Sequence, residues 1–359
     1  MKMPTDAIRE EILKWGEISF ARFMELALYC PETGYYEAKK DNVGRTGDFI
    51  TSVSTGELFG QLLAFQFAEW LDELKIQNEK LKIVEAGAHD GKLAADILGW
   101  LGKFRPEQLA AIEYCLIEPS PRRQAWQRET LKNFANVRWL ASLRDLKFSG
   151  ILFSNELLDA MPVHRYGWDA EAQQWAEWRV ALDGEKFIWT RSLAIPHALP
   201  SSIRDLPASL LQVLPAGYII EASPAAEQWW REAAGVLAHG KLLAIDYGFT
   251  AGEQISPGRW QGTLRAYHRH HVSGDLLANA GEQDLTAHVN FTAIQTTGEA
   301  AGLRTEKFCT QPQFLTRILE AAMKKKFFGE WGAGQTRQFQ TITHPDHLGR
   351  AFRVLVQSR

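Results

Sequence analysis

Lys82-Ile83-Val84-Glu85-Ala86-Gly87-Ala88-His89-Asp90-Gly91-Lys92-Leu93-Ala94-Ala95-Asp96-Ile97-Leu98 is the stretch on which the fold turns. A β-branched run ends in an acid, bends through residues bracketed by Gly87 and Gly91, and resumes with apolar positions at helical spacing. That order reads as strand, turn, helix. Glycines let the backbone come close to a ligand, and the first turn of a helix leaves N–H groups open to an anion. The same Glu-x-Gly-x-x-x-Gly spacing also serves as a purely structural tight turn.

The charge on Glu85 narrows the ligand. A dinucleotide sets its pyrophosphate on such a turn, where a carboxylate would repel it at low dielectric. S-adenosylmethionine (SAM) instead brings an ammonium and a sulfonium, which Glu85 attracts, and the helix N-terminus can hold its carboxylate.

Working outward, Tyr114-Cys115-Leu116-Ile117-Glu118 is a second buried-type strand, ending in an acid able to accept from two ribose hydroxyls. Residues 136–140 and 150–154 read as third and fourth strands and 241–248 as a fifth. Strands alternating with helices predict a parallel, doubly wound α/β sheet that binds its ligand at the strands' C-terminal ends. A helix (292–301), a strand (305–309), a helix (312–324) and a last strand (352–356) complete the pattern.

Residues 5–28 carry apolar positions at helical spacing and predict two helices split at Gly16. The glycine-punctuated string Gly47-Asp48-Phe49-Ile50-Thr51-Ser52 precedes a helix over 57–74. It reads either as a loop able to close on a ligand or as capping chemistry for that helix. After the fourth strand the period shortens toward two, and Asp183-Gly184 sits between Val180-Ala181-Leu182 and Phe187-Ile188-Trp189. Asp-Gly between such runs predicts a hairpin, hence an antiparallel insertion whose tryptophans form its own small core. The expected division is a helical extension (1–75), a ligand-binding core (76–162 with 240–359) and a substrate-side insertion (163–239).

Ser154-Asn155-Glu156-Leu157-Leu158-Asp159-Ala160-Met161-Pro162 follows the fourth strand, facing the glycine turn. Read as a helical turn, it puts Glu156 and Asp159 on one face beside Asn155. Capping by Ser154 or Asn155 is the structural alternative. His268-Arg269-His270-His271 lacks an accompanying acid at ligand spacing, so no metal site is expected. Asp246-Tyr247-Gly248, at the end of the fifth strand, reads either as part of the ligand site or, more simply, as a turn.

The chain has 359 residues and a formal charge of −3, and the sequence pI is near 6.4. Nothing in this balance draws it to nucleic acid or to an acidic membrane. Cys30, Cys115 and Cys309, odd in number and far apart, read as reduced core thiols. The longest apolar runs fall short of the ~18–20 residues of a membrane helix. The acidic first residues resemble no targeting peptide, which points to the cytoplasm.

Taken together, several strings resemble the MidA-like family of SAM-dependent methyltransferases: Gly34-Tyr35-Tyr36, Gly47 to Ser52, the turn from Glu85 to Gly91, Asn155-Glu156-Leu157-Leu158-Asp159-Ala160-Met161-Pro162-Val163-His164, Asp246-Tyr247-Gly248 and His344-Pro345 with Leu348-Gly349. The family includes a mitochondrial arginine methyltransferase of respiratory complex I assembly. The resemblance implies a class I methyltransferase sheet with SAM as cofactor and a protein side chain, arginine, as acceptor. It places Glu85, Gly87, His89, Asp90 and Gly91 at the methionine end of SAM, Glu118 at the ribose, and Gly47, Asp48, Thr51, Ser52 and Ser154 around the cofactor. Asn155, Glu156 and Asp159 would line the acceptor pocket. Two departures stand out: His89 replaces the second glycine of the family's Gly-Pro-Gly turn, and the usual acid after the third strand is missing at Ala141-Ser142. The alternatives are a SAM-binding assembly chaperone without chemistry and a nucleotide-dependent oxidoreductase, the latter disfavoured by Glu85 and the lack of Gly-x-Gly-x-x-Gly.

Overall fold

β1 (Lys82–Ala86) forms where the sequence places it because its side chains alternate between two buried faces, Ile83 on one and Val84 and Ala86 on the other. A computed structural model describes residues 2–38, 51–74, 80–144, 146–193, 198–268, 271–328, 331–349 and 351–359. β2 (Glu113–Ile117), β3 (Val137–Leu140), β4 (Phe148–Asn155) and β5 (Leu237–Phe249) join β1 in parallel pairing. β6 (Arg304–Thr310) and β7 (Phe352–Ser358) add antiparallel partners beyond β5, giving the order β6-β7-β5-β4-β1-β2-β3. The chain leaves β1 toward β3 and then crosses back to β4. That reversal opens a crevice at the C-terminal tips of β1 and β4.

Both faces of the sheet are covered. Helices Leu58–Leu74, Lys92–Phe104 and Gln311–Lys324 bury Phe67, Phe153, Ile245 and Phe314 on one side. Helices Pro224–Val236 and Phe291–Ala300 bury Trp230, Leu152, Leu242 and Leu355 on the other. The sequence places residues 224–236 inside the 163–239 insertion, yet this helix packs on the main sheet, because Trp230 and Ala233 need an apolar surface to cover.

At the base of the sheet the backbones of β4 and β1 come too close for any side chain. A Cβ on Gly150, whose φ is +142°, would lie 2.0 Å from the Lys82 carbonyl oxygen. Gly150→Ala should therefore cost about 2–4 kcal/mol of stability, the sum of strain and overpacking. Urea denaturation measures it, and an unchanged midpoint would contradict the packing described.

The predicted hairpin is present: Gln174–Asp183 pairs with Lys186–Ser192 around Gly184. With His164–Asp169 and Ile219–Ala222 these strands form an antiparallel sheet, to which the N-terminal segment adds Ile18–Ser19 as a further strand. Helices Pro4–Trp15 and Phe20–Tyr29 flank that strand, splitting at Gly16 as expected. Residues 250–290, without evident periodicity in the sequence, contain a small sheet in which Arg265–His268 pairs with both His271–Ser273 and Asp284–Thr286. Ala266 and Leu285 on this sheet join the apolar cluster of the N-terminal helices, with Phe20, Phe23 and Met24. The N-terminal extension is thus fastened to two parts of the chain that are remote in sequence. Among the described residues, no helix is long and apolar enough to cross a membrane.

Candidate active site

A cavity of about 900 Å³ opens at the β1/β4 crevice. One side of it is the turn after β1. Gly87 turns there with φ +79°, and a Cβ at this position would press on Leu157 at 3.1 Å. His89 adopts φ +47°, a left-handed conformation that costs a non-glycine residue of order 1 kcal/mol. The turn keeps the shape of a glycine turn despite the imidazole, and both His89 and Asp90 line the cavity. Asp90 accepts the Lys92 N–H at 3.0 Å as the helix begins.

Glu85 stands at the tip of β1 and is 2 % exposed. It accepts a hydrogen bond of 2.5 Å from the Tyr114 hydroxyl of the neighbouring strand. Burial pushes its carboxyl up to about 8, although the tyrosine pulls the other way. Glu118 at the tip of β2 is also buried and raised by burial, and it is held by two hydrogen bonds and an ion pair. The Ser120 N–H (3.0 Å) and the Gln127 amide (3.0 Å) bond to it, and Arg123 forms an ion pair at 3.2 Å.

The opposite side begins at Asn155. Here the structure corrects the expected helix: residues 156–163 are irregular, because Glu156 takes φ +53° and the next amides are captured from outside. The buried Asp246 carboxylate accepts the N–H groups of Leu157 (3.1 Å), Leu158 (2.8 Å) and Tyr247 (2.8 Å). Tyr29 donates to the Ala160 carbonyl at 2.9 Å. Asp246 therefore shapes the acidic segment from behind and does not line the cavity.

Glu156 and Asp159 still converge, and Asp284 joins them. The Asn155 amide donates to Glu156 at 3.1 Å, as does the Ser52 N–H. Tyr36 donates to Asp284 at 2.7 Å. Burial, reinforced by Asp246 and Asp284, lifts Glu156 to about 8, even though this residue is half-buried on the cavity wall. Asp159 is pushed well up by burial and by the other three acids, and Asp246 reaches about 7. The rings of Tyr29 and Tyr36 stack at 5.6 Å on the same wall, which Tyr247 and Tyr267 extend. Acids that shun charge together, framed by aromatic faces, favour a cation as guest.

The cavity brings together Thr51, Glu85, Gly87, His89, Asp90, Glu118, Asn155, Glu156 and Asp159. Three expected residues stand off its wall. Ser154 is buried inside the sheet between β1 and β5, Gly91 starts the helix Lys92–Phe104, and the Ser52 side chain turns to Gln311. Gly47 and Asp48 lie outside the described residues, as do Arg269 and His270. Sequence reasoning missed Tyr114, Asp284 and Tyr267. The last two face each other across the small sheet, where strands of three and four residues are too short to show alternation.

The raised carboxyls set a pH dependence. Acids with folded values near 7–8 hold protons that the unfolded chain has already released, so folding weakens as pH rises from the ordinary carboxyl range to about 8. His288, pushed down to about 4 by burial, acts oppositely only below about 6.5. Without added ligand, the melting temperature should fall between pH 6.5 and 8. A cationic ligand should oppose that fall, and a flat or rising profile would contradict it.

Comparison with known proteins agrees with this geometry. Residues 62–309 match the family described as "Putative S-adenosyl-L-methionine-dependent methyltransferase". The mitochondrial protein arginine methyltransferase NDUFAF7 of Mus musculus is 29 % identical, covering 79 % of this chain and 67 % of its own. The Drosophila melanogaster homolog is also 29 % identical, over 97 % of this chain and 83 % of its own. A crystal structure from Burkholderia thailandensis bound to S-adenosylhomocysteine (SAH) superposes with a TM-score of 0.84. It is 32 % identical and covers 99 % of this chain and 92 % of that one. The fold is that of a class I methyltransferase, and its cofactor is SAM. The chain belongs to the MidA-like family of SAM-dependent methyltransferases.

Proposed function

We propose that this enzyme methylates a cationic side chain of a protein, arginine by preference. The observation that carries the reading is the acceptor side of the cavity, where Glu156, Asp159 and Asp284 converge beneath tyrosine rings. The arginine methyltransferase names of its relatives at 27–29 % identity point the same way. A respiratory-complex subunit is the acceptor we favour, from the family resemblance.

In this reading Glu85 and Asp90 meet the cofactor's ammonium, and His89 with the turn at Gly87 holds its carboxylate. Glu118 takes the ribose hydroxyls. Thr51 borders the cofactor on the cavity wall, and Ser154 sustains the strand beneath. When bound, the cofactor supplies a methyl group already activated on a sulfonium, so the protein's task is alignment and electrostatics. A guanidinium, with a pKa of roughly 12.5–13.8, arrives charged. Asp159 and Asp284 would hold that charge, Asn155 would keep Glu156 aimed, and Glu156 would take the departing proton. A carboxyl whose pKa lies near 8 is well placed for this, because general bases work best close to the ambient pH.

The test is capture of partners from the source organism on the immobilised protein, followed by incubation with isotopically labelled SAM and mass spectrometry. Labelled methylarginine on a captured protein is the expected result. Label found on another residue type, or none with SAH bound normally, would overturn the acceptor assignment.

A further inference from the structure

The cofactor's adenine lacks its usual partner in this chain. Residues Ala141, Ser142 and Leu143 after β3 line the cavity but carry no acid, and the Ser142 hydroxyl accepts the Arg144 N–H at 3.3 Å. Glu118 is engaged by two hydrogen bonds and the ion pair with Arg123. A purine ring nevertheless needs an apolar face to lie on and an acceptor for its exocyclic amine.

The helix Pro224–Val236 offers both. Trp229 and Glu232, three residues apart, share one face of this helix and line the same cavity, while Ala226, Trp230 and Ala233 are buried against the sheet. Trp229 is half-buried and packs on the apolar cluster that contains Ile117 and Leu143, at the tips of β2 and β3. Glu232 accepts from the Gln228 amide at 2.9 Å. We infer that Trp229 stacks on the adenine ring and Glu232 accepts from its N6 amine, so that adenine selection has moved from the loop after β3 to this helix.

The inference rests on the cofactor site proposed above, with the nucleoside between the tips of β2 and β3. Calorimetric titration with SAH and with S-inosylhomocysteine, in which an oxygen replaces the N6 amine, tests it. The wild-type protein should bind SAH at least tenfold more tightly than the oxo analogue, since a carboxylate repels a carbonyl oxygen. Glu232→Gln should reduce that preference at least fivefold, because a carboxamide can donate to the oxygen as well as accept from an amine. Trp229→Ala should weaken both ligands by a similar factor, roughly tenfold. Circular dichroism melting of each variant verifies folding, and Glu232→Ala, which should weaken SAH without gaining the oxo analogue, supplies a second comparison. An unchanged preference in Glu232→Gln, or unchanged affinities in Trp229→Ala, would overturn the inference and leave the cofactor site standing. Failure of the wild-type protein to bind either compound would overturn both.

Discussion

Glu156→Gln should lower methyl transfer at least 100-fold while SAH affinity changes less than threefold. The substitution keeps the side chain's shape and its contact with the Asn155 amide, but it removes the group that can accept a proton. A general base contributes roughly 10²–10⁴ in rate, which sets the expected size. The pH profile should change as well. Wild-type kcat should rise with pH as Glu156 ionises, and the variant's residual rate should lose that limb. Full turnover in the variant would remove Glu156 from the chemistry and shift attention to Asp159, which is buried on the same wall and pushed toward its neutral form.

Glu85→Gln should weaken SAM and SAH roughly 10–100-fold, the range for losing a charged hydrogen bond of about 1.5–3 kcal/mol. Glu85 is held toward its neutral form by burial in the absence of a cation. Binding an ammonium must therefore release a proton from it, and affinity should fall as pH drops below about 8. Affinity should thus fall toward acid pH in the wild-type protein and lose that limb in the variant. Titration calorimetry across pH 6–9 measures both effects, and an affinity independent of pH would contradict the role given to Glu85.

The sheet was legible because its strands carry the β-branched, two-faced composition of a buried parallel sheet, and because an acid ends each of the first two. The glycine turn was legible for the same local reason. The acidic segment after β4 is irregular where its composition suggests a helical turn. Its composition permits a helical turn, but Asp246, some ninety residues away, captures the amides of Leu157 and Leu158. No local pattern encodes that long-range bond. Asp284 and Tyr267 were invisible for a related reason: they join the site only when Arg265–His268 pairs with Asp284–Thr286. Tyr36 belongs to the Gly34-Tyr35-Tyr36 string, but its hydrogen bond to Asp284 spans most of the chain. His89 ran the other way. The sequence marked it as an intruder in a glycine turn, and it takes the positive φ that position demands.

The most direct test of the central claim is a crystal structure of this protein soaked with SAH. The amino group should lie within hydrogen-bonding distance of Glu85, the ribose hydroxyls on Glu118, and the sulfur toward Asn155 and Glu156. SAH bound elsewhere, or the His89 imidazole filling the crevice where the methionine end belongs, would contradict it.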